Sequence, residues 1–462
     1  MQLRDLVAQR GDIHLVRAIE VSQHIGGDDD LITQAITVHG IELVELGQAG
    51  TLWHEDQPRI GRIVGQQHLG EVQAPDFDTI GGELSVEFEG VDHESQAKRF
   101  AFRNEGLWIP LPAGPYCHAM KPSAPHPETW LRVTGKGLYC VPGDFYVDPA
   151  WSVERAVVTH GHADHARPNN RKVLATPETL AIMTARYGEQ AGGEHQALRY
   201  GERVVLGDVT VSFAPAGHVL GSAQAVLEWR GSRVVVSGDY KRRRDPTCAG
   251  FEPVACDVFI TEATFGLPVF RHPPAEEEVG KLLRSRALFP ERTHVVGVYA
   301  LGKAQRLIRI LREAGCDEPI YIHGALQGLC ALYESLGVPL GELRPASAAA
   351  KAEMVGALVL APPSAIADRW ARRLHDPVTA MASGWMRVRQ RAKQRGVELP
   401  LVVSDHADWD ELTQTLEDVG APEIWVTHGS EEALVHHARA RGFRARALAL
   451  VGRGEEEQEG AA

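Results

Sequence analysis

His160-Gly161-His162-Ala163-Asp164-His165 places four ligand-type side chains within six residues. It directly follows Arg155-Ala156-Val157-Val158-Thr159, a short apolar run that reads as a buried strand. The loop at a strand end is a common place for a metal site, and neutral imidazoles with a carboxylate suit zinc or a similar borderline metal. Alternate residues of an extended turn can aim His160 and His162 at one ion while Asp164 and His165 face another, so the spacing suggests two metals. A histidine-rich surface turn is the plain alternative, but such a turn has no need to follow a buried strand.

At 462 residues the chain exceeds one ordinary domain, and two or three are expected. Its 44% apolar and 24% charged content is that of a soluble globular protein. No run of about eighteen apolar residues and no basic-then-apolar amino terminus is present, so no membrane partner is expected and the cytoplasm is the expected compartment. The cysteines, at 117, 140, 248, 256, 316 and 330, form no CxxC pair, which fits reduced thiols better than a disulfide framework or a thiolate zinc site.

The net charge of −13 is unevenly placed: residues 1–119 hold 8 Lys and Arg against 19 Asp and Glu, while residues 120–462 hold 40 against 42. Acidity in the first part is therefore no argument against nucleic acid for the second. Residues 1–119 have some strand-like alternation, as in Leu84-Ser-Val-Glu-Phe-Glu89 and Ala35-Ile-Thr-Val-His39, but no repeat and no motif. A small β-rich accessory domain is one reading. The abrupt change of charge favours the other, in which Met120 is the true start and the extension before it is spurious.

From Trp130 the pattern becomes orderly. Gly137–Val141 and Phe145–Asp148 read as strands joined by the turn Pro142-Gly-Asp144, leaving Asp148 at a strand end where it can orient a ligand histidine or simply cap a turn. A helix is expected from Pro177 to about Tyr187. Val209-Thr-Val-Ser-Phe213 leads to His218, flanked by Gly217 and Gly221, which allow close backbone approach. A lone histidine after a strand is often structural, yet a third imidazole is what the first metal needs. Arg233-Val-Val-Val-Ser-Gly-Asp239 repeats the grammar of apolar strand, glycine and acid, and Asp239 either bridges two metals or caps a helix or turn.

This ordered set resembles the metallo-β-lactamase superfamily. The resemblance implies an α/β fold, an αββα sandwich of two mixed sheets with metals at the strand ends. The best candidate for a last ligand, His428 in Trp425-Val-Thr-His-Gly429, lies 189 residues beyond Asp239, so something is inserted. Ile260-Thr-Glu262-Ala-Thr-Phe-Gly266, Ser404-Asp-His406-Ala-Asp408 and Val426-Thr-His428-Gly429 resemble the A, B and C motifs of the β-CASP branch, the nucleic-acid nucleases of that superfamily. Gly143-Asp-Phe-Tyr-Val-Asp-Pro149, Val236–Lys241, Tyr299-Ala-Leu-Gly-Lys-Ala-Gln-Arg306 and Ala382-Ser-Gly-Trp-Met386 are similar to the bacterial ligase-associated DNA exonuclease family, also described as mRNA 3′-end processing factor-like. Residues 1–119 have no counterpart there, and Gln390 stands where that family tends to have glycine.

The resemblance implies His160, His162 and His218 on one metal, Asp164, His165 and His428 on the other, and Asp239 between them. Zinc is the metal expected first, with manganese also accepted by such donors. Water activated by the two ions would attack phosphorus, and His406, oriented by Glu262, would protonate the leaving oxygen. A structural His406 paired with Asp405 is the plain alternative. The implied boundaries are a first sandwich segment over 120–265, an inserted β-CASP α/β module over 266–400, a return segment over 401–455 and an acidic tail over 456–462. Lys241-Arg242-Arg243-Arg244 and Lys303 with Arg306 are phosphate candidates. So are Arg387, Arg389, Arg391, Lys393 and Arg395, which an extended backbone would place on one face, unless these runs are simply solvated charge.

The expected function is a two-metal nuclease, a DNA exonuclease in end processing and repair. An RNA 3′-end processing nuclease of the same fold is the alternative, because the metal site does not read the 2′-hydroxyl. A metal-depleted relative that only binds nucleic acid is disfavoured because all seven donors are present, and a small-ester or thioester hydrolase is disfavoured by the long insertion. A partnership with an ATP-dependent DNA ligase is implied by the resemblance alone, and the sequence gives no oligomeric state.

Overall fold

The computed structural model describes residues 124–367 and 370–450, together with strand backbones between 15 and 110. The chain divides into two compact units, Met1–Pro122 and Ser123–Ala462. In the first, Leu15–Ile25, Gln34–Glu45 and Gln48–Thr51 form one antiparallel sheet, and Ile63–Gly65, Glu83–Val86, Arg99–Phe102 and Trp108–Pro110 form another. The expected start at Met120 and the acidic tail fall on residues outside those described.

The second unit is built from period-2 strands whose two faces go to different cores. Val234, Val236, Val258, Ile260 and Trp425 point into one core, while the intervening Val235, Phe259, Ile424 and Val426 point into another. These strands belong to a sheet running Arg203–Leu206, Val209–Pro215, Ala223–Trp229, Ser232–Val236, Val258–Ala263, Glu423–Gly429, Arg444–Ala447. A second sheet runs Glu194–Ala197, Lys172–Ala175, Arg155–Val157, Phe145–Val147, Gly137–Cys140, Leu131–Thr134. Leu138, Phe145, Val147 and Val157 of this sheet meet Val211, Phe213 and Ala225 of the other in the central core.

Helices cover both outer faces. Pro177–Tyr187, started by Pro177 and capped by the Thr176 hydroxyl on the Thr179 amide, lays Leu180 and Met183 on Val158, Val173 and Ala175. On the opposite side Trp409–Val419 and Glu431–Ala440 bring Leu412, Leu416, Leu434 and Val435 onto Phe259 and Val426. The layering is the αββα sandwich.

Strands Val258–Ala263 and Glu423–Gly429 are parallel neighbours, so the chain between them is an insertion. It carries its own sheet, Leu343–Pro345, Ile320–Ile322, Leu358–Ala361, His294–Gly297, Val378–Ala382, Leu399–Leu401, parallel throughout. The two end strands contain Pro345 and Pro400, tolerated there because an edge position leaves one side of the ladder unpaired. Arg387 to Arg395 are not extended as expected. A 3-10 turn Gly384–Arg387 and a helix Arg389–Gln394 occupy the stretch, with Ala392 as the buried contact. Residues two apart on a helix lie about 200° apart, so the five cations share no single face.

Candidate metal centre

The site forms where strand ends of both sheets converge. After Arg155–Val157 the chain presents His160, His162 and His165, all buried, with Asp164 partly exposed. His218 arrives from the end of Val209–Pro215. It can do so because Gly217, at φ +74°, passes so near the Lys241 carbonyl that a Cβ would sit 2.3 Å from that oxygen. Gly238, at φ +58°, likewise lets the Asp239 turn press against Thr159, where a Cβ would meet the hydroxyl at 2.6 Å. His428 is supplied by a bulge: the pairing steps from Thr261–Val426 to Ala263–Gly429, leaving one extra residue, and His428 takes φ 63°. All seven expected donors are described, and the four that come closest are His160, His162, His218 and Asp239, whose ligand atoms lie within 4.8 Å of one another.

Hydrogen bonds fix which ring nitrogen faces inward. His218 Nδ1 meets the Asp405 carbonyl at 2.8 Å and His162 Nε2 meets the Leu301 carbonyl at 3.4 Å, so both must be N–H donors. Thr159 spends its own hydroxyl proton on Asp148, at 2.7 Å, so its oxygen accepts from His160 Nδ1 at 3.2 Å. Burial foremost, with neighbouring imidazoles adding to it, holds His160 and His218 well below the ordinary histidine range, hence neutral. The remaining nitrogens of His160 and His218 are then lone pairs. They converge on Nδ1 of His162, at 3.0 Å from His160 Nε2 and 2.9 Å from His218 Nε2, an arrangement that suits a cation among the three rings.

A second cluster of donors adjoins it. His165 Nε2 lies 3.3 Å from Asp239 Oδ2 and 3.6 Å from Asp164 Oδ2. Burial opposes a charge on His165, but the carboxylates of Asp239, Asp164 and Asp148 outweigh it and raise its pKa well above the usual range. Asp239 is held well below the carboxylate range, since the imidazoles of His165 and His160 outweigh its burial. His165 Nε2, Asp239 Oδ1 and His428 Nδ1 are buried without a hydrogen-bond partner, which fits a role for each as a metal donor. Nδ1 of His165 is taken by Asp148 at 2.8 Å, so Asp148 is the orienting carboxylate. The donor set fits two divalent cations, and its chemistry of imidazole with carboxylate suits zinc or manganese alike.

His406 stands beside this centre, its ring 4.6 Å from that of His218. Its Nδ1 meets Glu262 Oε2 at 2.9 Å, and Glu262 is itself fixed by the Tyr240 amide at 2.7 Å and the Thr264 hydroxyl. The Asp405 carboxylate faces Arg306 and Lys303.

The basic residues divide. Lys241 is buried and paired with Asp245 at 2.7 Å, so it is a structural cation rather than a displayed phosphate contact. Lys303 and Arg306 are buried too. Arg242 is bonded to Asp418, Arg243 to Asp408, and Arg244 to Glu313. Arg387 and Arg389 are exposed, while Arg391 lies over the Trp385 ring, 4.1 Å from its centroid. Sequence reasoning missed the carbonyls of Leu301 and Asp405 as histidine partners, since a backbone acceptor leaves no trace in residue type.

No family model matches the chain. The chain is 28% identical over 324 residues to a probable DNA ligase of Opitutus terrae, covering 69% of this chain and 31% of that protein. It is 26% identical over 390 residues to a ribonuclease of Thermus thermophilus, covering 67% of this chain and 89% of that protein. Over 145 residues it is 34% identical to cleavage and polyadenylation specificity factor subunit 3 of Dictyostelium discoideum, 29% of this chain and 18% of that one. The chain thus spans less than a third of the ligase and less than a fifth of the polyadenylation factor. Similarity to proteins of these kinds, on a sandwich interrupted between Val258–Ala263 and Glu423–Gly429, fits the resemblance of the motifs to the β-CASP branch of the metallo-β-lactamase superfamily.

Proposed function

We propose that the chain is a two-metal nuclease hydrolysing phosphodiester bonds, and specifically a DNA exonuclease acting on strand ends. The observation that carries the reading is the His406–Glu262 pair beside the inward-facing histidine nitrogens, because an ester hydrolase without a poor leaving group has no need of it. His160, His162 and His218 would hold one cation, Asp164, His165 and His428 the other, and Asp239 both. Such ions lower the pKa of water and neutralise charge on phosphoryl oxygens. The protein does the rest. Glu262 holds Nδ1 of His406, which leaves Nε2 to deliver a proton to the departing oxygen. Arg387 and Arg389, exposed on the inserted module, are candidates to hold the phosphate backbone.

Kinship with a ligase favours DNA and a ligase partner, in the cytoplasm. RNA is the second reading, favoured by the likeness to a Thermus ribonuclease along most of that protein. Among the described residues no helix is long and apolar enough to cross a membrane. The test is the full chain with zinc or manganese, given end-labelled single-stranded DNA and RNA of one sequence. Stepwise shortening of DNA supports the exonuclease reading, preferential cutting of RNA moves the protein to RNA processing, and no cutting of either overturns the nuclease.

A further inference from the structure

The helix Lys303–Glu313 belongs to the inserted module, yet two of its basic residues point into the sandwich. Arg306 is fully enclosed. Its Nη1 donates to the Ser404 carbonyl and, at 3.1 Å, to Asp405 Oδ1, and its Nε lies 3.5 Å from Asp245 Oδ2. Lys303 Nζ approaches Asp405 Oδ2 at 3.6 Å from above the Tyr299 ring. Asp405 in turn offers its backbone carbonyl to Nδ1 of His218, and the next residue is His406. One turn of chain therefore carries both the acceptor that sets the tautomer of His218 and the proposed acid, and a cation from the other lobe grips its first two residues.

We propose that Arg306 is a positioning residue for the metal centre: it holds the turn Ser404–His406 so that the Asp405 carbonyl orients His218 and His406 faces the substrate. The proposal rests on the nuclease reading given above. A buried ion pair is weak grounds for a role in stability, because desolvation offsets much of the attraction. Geometry is the stronger ground. The planar guanidinium reaches a carbonyl and two carboxylates from separate segments at once, which an ammonium on a flexible stem cannot do.

The experiment compares full-length wild type with Arg306→Lys, Asp405→Asn and, as a control on the same helix, Arg309→Met. Each is titrated with cobalt(II), its visible spectrum recorded, and kcat and KM measured on single-stranded nucleic acid. Arg306→Lys and Asp405→Asn should alter the cobalt spectrum and lower kcat or metal affinity about 10- to 100-fold, the usual effect of removing a group that orients a ligand, with KM little changed. Arg309→Met should match wild type. If Arg306→Lys does not fold, Asp405→Asn decides, since it keeps size and backbone while weakening the grip of Arg306. Folded variants with wild-type spectrum and kcat overturn the proposal. Altered cobalt spectra in a chain that cuts no nucleic acid keep the positioning role and overturn the nuclease instead.

Discussion

Glu262 Oε2 lies 2.9 Å from Nδ1 of His406, and both groups are buried at the edge of a cluster of metal-type donors. A carboxylate so placed fixes the orientation of the imidazole and occupies its Nδ1. His406→Ala should retain both metals and lose about 10²- to 10⁴-fold in turnover, the range for a general acid. Metal content by mass spectrometry alongside single-turnover rates checks this, and wild-type cutting by the variant would remove His406 from the chemistry.

Asp239 faces three histidines, with His165 at 3.3 Å and His160 at 3.5 Å, and its Oδ1 is unpaired. Asp239→Asn should therefore weaken both metals and abolish cleavage while circular dichroism stays that of wild type. Retention of two bound ions per chain would show that Asp239 does not join them.

Lys241 and Asp245 are each almost wholly enclosed and 2.7 Å apart. Lys241→Met leaves the Asp245 charge without its closest partner and should cost about 3–5 kcal/mol in denaturant unfolding. A phosphate-binding lysine would behave oppositely, raising KM with no loss of stability.

His272 is buried against Phe265, and burial, with Arg243 and Arg387 adding to it, lowers its pKa to about 4. In the unfolded chain it takes up a proton near pH 6.5. Between those values the unfolded state binds more protons, so stability falls as pH drops from about 6.5 to 4, and His272 causes no further loss below that. The effect is roughly 3 kcal/mol at full extent. Urea unfolding at several pH values should show a shallower acid decline for His272→Gln, and parallel curves would refute the assignment.

The ligand grammar was legible where a candidate donor stands just past a short apolar strand, at the point where the fold ends a strand and opens a loop. His160, His218 and Asp239 all obey that rule, and Asp148 sits at a strand end for the same reason. Buried cations were not legible. Lys241, Lys303 and Arg306 look like surface charge until Asp245 and Asp405 come into contact with them, and Asp405 lies 102 residues beyond Lys303. The alternation of Arg387, Arg389 and Arg391 suggested a strand, but Ala392 has a buried position to fill in the inserted module and the local backbone coils to fill it. Leu343–Pro345 and Leu399–Leu401 are hard to read from sequence because Pro345 and Pro400 argue against a strand except at an edge.

The bulge that delivers His428 lies near the end of the described chain, although its strand pairs with one completed by residue 263. A ribosome must therefore build the whole intervening lobe before the seventh donor exists. Until then the nascent protein holds six of the seven expected metal donors, so the proposed site stays incomplete until that strand is made.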